Sequence, residues 1–150
     1  MRTLVICVGN AMRSDDGLGV RVWEELRARG VDAILSGPDM PELLDSLCVD
    51  RLVLVDAVDF GGEPGSLISA RLEELDPIEV RSSTHSLSPI HFLRLIKEIT
   101  GHPKEVFVVG VQPKSLDLKE GLSEEVERSL PAVLGRVLEI LRDGLEAIQG

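Results

Sequence analysis

Three groups set the chemistry open to this sequence: the adjacent carboxylates Asp15 and Asp16, the carboxylate of Asp56, and the imidazole of His85. The first pair lies in Gly9-Asn10-Ala11-Met12-Arg13-Ser14-Asp15-Asp16-Gly17-Leu18-Gly19. An apolar run, Leu4 to Val8, precedes this loop and an amphipathic stretch, Val20 to Arg29, follows it. Strand, glycine-rich loop and helix in that order usually cradle a phosphate, which wants backbone N–H groups and positive charge. Two acids in the loop point instead to a cation or to acid chemistry. Asp56 closes the apolar run Leu52-Val53-Leu54-Val55, and His85 sits in the polar run Arg81 to Ser88 ahead of Pro89. Each group alone also has a structural reading: Asp15 or Asp16 as a helix cap, Asp56 as a turn residue, His85 as an ordinary loop histidine. His91 and His102 read as surface or packing residues. Two carboxylate oxygens and one imidazole nitrogen, with positions left open, suit a divalent transition ion such as nickel, zinc or manganese.

The elements that position these groups follow from hydrophobic periodicity. β-Branched apolar runs predict core strands at Leu4–Val8, Leu52–Val55 and Val106–Val111, with weaker strands at Asp32–Leu35 and, after the turn Gly61-Gly62-Glu63-Pro64, at Gly65–Ala70. Helices are predicted at Val20–Arg29, Pro41–Leu47, Pro89–Thr100 and Leu122–Ala147, with Ser88 as N-cap and Pro89 at the first position of the third. The last helix lines up Leu122, Val126, Leu130, Val133, Val137, Leu141, Leu145 and Ile148 on one face, and Pro131 should kink or split it. Alternation of strands and helices implies a three-layer α/β fold, a mostly parallel sheet covered on both faces. With the strand at 32–35 on one side of the first strand and that at 52–55 on the other, the switch point falls where Asp16 and Asp56 emerge at the carboxyl ends.

Composition narrows the partners. The chain has 150 residues, 16 basic and 26 acidic side chains and a net charge of −10, which disfavours nucleic acid and anionic membranes. No apolar stretch reaches the ~20 residues of a membrane span and no signal peptide opens the sequence, so a cytoplasmic protein without membrane insertion is expected. Cys7 and Cys48, the two cysteines, both read as small core residues rather than as zinc ligands. Residues 1–150 contain no repeat or linker and read as one domain.

Four segments in order, Gly9-Asn10 through Asp15-Asp16-Gly17-x-Gly19, Val55-Asp56-Ala57-Val58-Asp59 leading to Pro64-Gly65, Ser83-Thr84-His85-Ser86-Leu87, and Val109-Gly110-Val111-Gln112-Pro113, resemble the [NiFe]-hydrogenase maturation endopeptidases. The resemblance covers nearly the whole chain and leans toward the formate-hydrogenlyase type, in which Asp rather than Glu fills the first metal position. It implies a five-stranded twisted sheet between helices (a phosphorylase/hydrolase-like α/β fold). It also implies a peptidase, grouped with aspartyl-type enzymes, that removes the C-terminal extension of a [NiFe]-hydrogenase large-subunit precursor after nickel insertion. Cleavage follows a His or Arg just beyond a Cys-x-x-Cys pair of the precursor. By position, Asp16, Asp56 and His85 would bind the nickel and share in catalysis. The nickel would arrive with the substrate, with no tightly bound cofactor, and the protein would act as a monomer. One departure stands out: many members carry Asp-Gly-Gly after the second strand, where this chain reads Ser36-Gly37-Pro38-Asp39. Ser36 cannot act there as an acid.

No serine–histidine pair or base-flanked cysteine stands out, so the residues leave two routes for hydrolysis: a metal that polarises the scissile carbonyl or a water, or a metal used for recognition with a carboxylate activating water. Two other classes fit less well. A phospho-receiver module would use Asp15/Asp16, Asp56, Thr84 and Lys114, but receivers place the acid pair directly at the strand end, and here seven residues separate Val8 from Asp16. A dinucleotide or flavin binder needs G-x-G-x-x-G or aromatic residues, and this chain has no Tyr and one Trp.

Overall fold

A computed structural model describes residues 2–37, 40–76, 79–82 and 88–149. Six strands and three α-helices run in the order β1 (Thr3–Val8), α1 (Leu18–Ala28), β2 (Ala33–Ser36), β3 (Arg51–Asp59), β4 (Leu67–Arg71), β5 (Arg81–Ser82), α2 (Pro89–Thr100), β6 (Glu105–Val111) and α3 (Glu124–Gln149). The sheet order is β2-β1-β3-β6-β4, with the two-residue β5 added to the far end of β3. β2, β1, β3 and β6 are parallel; β4 runs antiparallel on β6 at the edge. This is the expected mostly parallel α/β sheet, with the first strand between the second and third.

β3 lies at the centre, and Arg51 through Val58 are all buried, as a parallel strand covered on both faces requires. Its side chains alternate between two cores. Val53 and Val55 join Val5, Cys7, Val109 and Val111 under α1 and α3, which supply Val22, Leu26, Val133 and Val137. Leu52, Leu54 and Val58 join Ile6, Val8, Val106 and Val108 under α2, which supplies Ile90 and Leu93. By the same alternation, Asp56 belongs to the α2 face.

Several elements differ from expectation. The segment expected as a helix at Pro41–Leu47 is a 3₁₀ helix, Met40–Ser46. α3 runs unbroken through Pro131. The proline falls on the exposed face of α3, where its ring meets water rather than the sheet, and the buried stripe of Val126, Leu130, Val133 and Val137 continues past it. Asp56 does not end its strand: β3 continues to Asp59, because β5 pairs Ser82 with Val58 and Arg81 with Asp59. Cys48 is exposed rather than packed in the core. No helix among the described residues is long and apolar enough to cross a membrane.

Candidate active site

The chain leaves β1 at Val8, crosses residues 9–13, and enters α1 through a 3₁₀ turn, Ser14–Gly17. Two glycines let this loop lie directly on the backbone. A Cβ at Gly9 would collide with the carbonyl oxygen of Asp16, and one at Gly19 with that of Val8. Asp16 is fixed along its backbone: its N–H donates to Arg13 O at 3.0 Å and its carbonyl accepts from Asn10 N–H at 3.0 Å. Ser14 takes a positive φ of 46°, a conformation L-residues rarely hold without support. Here its N–H donates to Lys119 O at 2.9 Å and its hydroxyl to Gly121 O at 3.2 Å.

The adjacent acids do different work, although both are 0% exposed. Asp15 Oδ2 accepts the N–H groups of Lys114 (2.7 Å) and Ser115 (2.9 Å) and the Ser123 hydroxyl (2.9 Å); Oδ1 accepts the Ser123 N–H at 2.7 Å. It therefore holds the segment between β6 and α3. The capping reading is corrected in its detail: neither acid caps α1, whose N-cap is Gly17 without a side-chain bond, and Asp15 instead secures Ser123 just ahead of α3. Asp16 remains in the turn that packs against β3.

Asp56 is also 0% exposed. β1 pairs with β3 only as far as Cys7 with Val55, whereas β6 pairs on through Asp56 with Gly110 to Ala57 with Val111. Asp56 is thus the first residue of β3 beyond its pairing with β1, at the expected switch point. The backbone past it is held by Gln112, a residue whose role is not apparent from its place in the sequence. Its Oε1 accepts the N–H groups of Phe60 (2.9 Å) and Gly62 (3.1 Å), and its Nε2 donates to Asp59 Oδ1 at 3.1 Å. A buried amide directly after an apolar strand is the signal that could have marked it.

Of the three predicted site residues, Asp16 and Asp56 share this sheet edge, and His85 lies outside the described residues. The flanks of its segment are described: Ser82 pairs with Val58, two residues past Asp56, and Ser88 is the N-cap of α2 with Pro89 next, as expected. The Ser88 hydroxyl makes no cap bond and is buried without a hydrogen-bond partner among the described residues. No group of three His, Cys, Asp or Glu side chains among the described residues is arranged to hold a metal. Ser36 ends β2 beside the loop: its carbonyl accepts from Gly9 N–H at 3.1 Å and its hydroxyl donates to Gly37 O at 2.9 Å. Asp39 lies outside the described residues, as does Thr84.

Neither cysteine suits a nucleophile. Burial pushes the Cys7 thiol up to about 12, and Cys48 precedes the amino end of β3, the edge of the sheet away from Asp56. Lys114, the candidate receiver lysine, bonds Glu125 at 3.0 Å. What remains is an α/β sheet with two water-excluded carboxylates at one edge, Asp16 on the turn after β1 and Asp56 on β3. Excluded from water, such groups call for a cation, a proton or a dense set of donors.

An α/β protein with two buried acids at the carboxyl edge of its sheet is the class this arrangement defines. The sequence model of the hydrogenase maturation proteases matches residues 20–140. The Hydrogenase 2 maturation protease of Escherichia coli K12 is 34% identical over 99% of this chain and 96% of its own length. Among solved structures, the E. coli hydrogenase maturating endopeptidase HybD superposes with a TM-score of 0.80 at 34% identity, covering 96% of this chain and 94% of that one. The [NiFe] hydrogenase maturation protease HybD from Thermococcus kodakarensis gives 0.79 at 26% identity, covering 93% and 99%. The chain belongs to the hydrogenase maturation protease family, and it is a peptidase of that fold.

Proposed function

We propose that this protease removes the C-terminal extension of a [NiFe]-hydrogenase large-subunit precursor, and that it recognises the precursor through the nickel already inserted there. The observation that carries this reading is that Asp16 and Asp56, both excluded from water, lie at the same carboxyl edge of the sheet, one in the turn after β1 and one on the neighbouring β3. Oxygen donors of this kind, completed by the His85 imidazole, match a borderline divalent ion. His85 belongs to the short segment between Ser82, paired beside Asp56, and Ser88 at the start of α2.

Each residue then has a role. Asp16 and Asp56 offer carboxylate oxygens to the substrate's nickel, and His85 offers a ring nitrogen. Two carboxylates and an imidazole favour a tail that carries a divalent ion, so a precursor without nickel lacks the group these residues are proposed to bind. Held by Asp16, Asp56 and His85, the ion would place the peptide bond of the extension at the sheet edge and would supply polarisation of its carbonyl or of a water, or would serve for recognition while a carboxylate activates water. The protein itself keeps no tightly bound metal, since three donors on separate segments leave an open and exchangeable site.

The test is processing of nickel-loaded and nickel-free precursor by the wild type and by Asp16→Asn, Asp56→Asn and His85→Ala, with melting temperatures taken on the same samples. Cleavage restricted to the loaded precursor, and abolished in three folded variants, is the expected result. Equal cleavage of nickel-free precursor refutes recognition through the metal. A folded variant with full cleavage removes its residue from the site.

A further inference from the structure

Asp15 is invested in bonds that the docking reading does not use. Its carboxylate is 0% exposed and takes four hydrogen bonds, three from backbone N–H groups and one from a hydroxyl, across sequence separations of 99, 100 and 108 residues. Around it the same two segments are bonded again: Asp15 N–H to Ser115 O at 3.0 Å, Ser14 N–H to Lys119 O at 2.9 Å, and the bridge between Arg13 and Lys119. A helix cap needs one or two such bonds. This set ties one four-residue turn to the far end of the chain.

We infer that Asp15 is a positioning residue for Asp16: its carboxylate, anchored on Lys114, Ser115 and Ser123, sets where the next residue presents its acid. This rests on the docking role proposed for Asp16. The two acids are consecutive in a 3₁₀ turn, in which successive side chains diverge by about 120°. With Asp15 drawn toward the segment before α3, the direction of Asp16 is fixed on the other side of the turn, where the turn packs on β3. The turn has little stiffness of its own, being short and opened by Ser14 at positive φ. Remove the anchor and the turn keeps its backbone bonds to Ser115 and Lys119, from Asn10 and to Arg13, but loses all four bonds that hold the Asp15 side chain to one side of it. Anchoring a first ligand through a neighbouring carboxylate is how metal-directed groups are commonly oriented.

Asp15→Asn tests this. An amide cannot accept at both of its atoms, so in either orientation an –NH₂ faces a backbone N–H: that of Ser123, or those of Lys114 and Ser115. Ser123→Ala is the gentler partner. It keeps the charge and all three N–H bonds, and removes the 2.9 Å hydroxyl bond together with the Val126 N–H bond that the same oxygen accepts at 3.4 Å. Processing of nickel-loaded precursor is measured well below each variant's melting temperature, with KM and kcat resolved and rates referred to folded protein. Asp15→Asn is expected to raise KM at least tenfold with kcat within about threefold, and Ser123→Ala to raise KM about threefold. A folded Asp15→Asn with wild-type KM overturns the inference, even if its melting temperature falls, because the clamp would then serve stability alone. If Asp15→Asn does not fold, Ser123→Ala decides: an unchanged KM overturns the inference and a raised one supports it. Asp16→Asn in the same assay separates the two ideas. Full activity there defeats the docking role; lost activity there with a wild-type Ser123→Ala and Asp15→Asn defeats the positioning role only.

Discussion

Two glycines in helices should respond to the same substitution with opposite signs. Gly19 is the second residue of α1 and Gly135 lies inside α3. Replacing either by alanine removes the entropic penalty of glycine in a helix, a gain of about 0.5–1 kcal/mol. At Gly135 nothing lies within 4 Å of the added Cβ, so the gain stands alone. At Gly19 the Cβ would overlap the Val8 carbonyl, and the Val8 carbonyl carbon and nitrogen lie at 2.6 and 3.0 Å. These are backbone atoms of a central strand and cannot swing aside, so overpacking of about 1–3 kcal/mol outweighs the propensity gain. For a chain of this length 1 kcal/mol moves the melting temperature by ~2–4 °C. Gly135→Ala should therefore melt about 1–4 °C higher than wild type and Gly19→Ala about 2–8 °C lower, read by circular dichroism under one protocol. If Gly19→Ala is as stable as Gly135→Ala, the backbone contact of α1 on β1 is not the reason for a glycine there.

The cysteines should separate chemically: with Cys48 exposed and Cys7 buried, a thiol reagent at pH 8 should titrate one sulfhydryl per native chain and two after denaturation. Because burial raises the Cys7 thiol to about 12, the folded state keeps a proton that the unfolded state loses above its ordinary value. Stability should then fall as pH rises from about 9 toward 12, by ~1.4 kcal/mol per unit. Urea unfolding at pH 8 and 10 should show this extra slope in wild type and not in Cys7→Ala; equal slopes would refute it. Ser36→Ala should cleave precursor within about threefold of wild type, since among the described residues the hydroxyl bonds Gly37 O alone and the strand pairing is made by its backbone; a hundredfold loss in the processing assay would assign Ser36 a catalytic part.

The strands that carry the site were legible in the sequence because their apolar runs are β-branched and bounded by polar residues. Leu4–Val8 and Val106–Val111 fall within one residue of β1 and β6 at each end. The end of β3 was not legible. A carboxylate after four apolar residues looks like a stop, and the pairing that carries β3 on to Asp59 comes from Arg81 and Ser82, a strand too short to leave a periodic trace. The glycine spacing around Asp15 and Asp16 announced a tight loop, and Gly9 and Gly19 are indeed where backbone meets backbone. Which acid of the pair is structural could not be read locally. The donors that claim Asp15 lie about a hundred residues away, and nothing in the run from Lys114 to Ser123 looks like a receptor for a carboxylate until the fold brings its N–H groups together. Cys48 misled because the 3₁₀ helix ends at Ser46, and in the segment after it Leu47 and Val49 are buried while Cys48 between them faces out.

The bonds from Asp15 to Ser123 also bear on when the enzyme comes into being. At ribosomal rates of about 5–20 residues per second, Ser123 is synthesised roughly 5–20 s after Asp15. Until then β1, β2 and β3 can meet, but the turn before α1 has no carbonyl or N–H groups from residues 114–123 to lean on, and α3 is absent from the core it shares with α1. A nascent or prematurely terminated chain thus holds both Asp16 and Asp56 without the frame around them. The frame of the site therefore waits on residues 114–137, which supply both the anchor of the turn and the cover of α1.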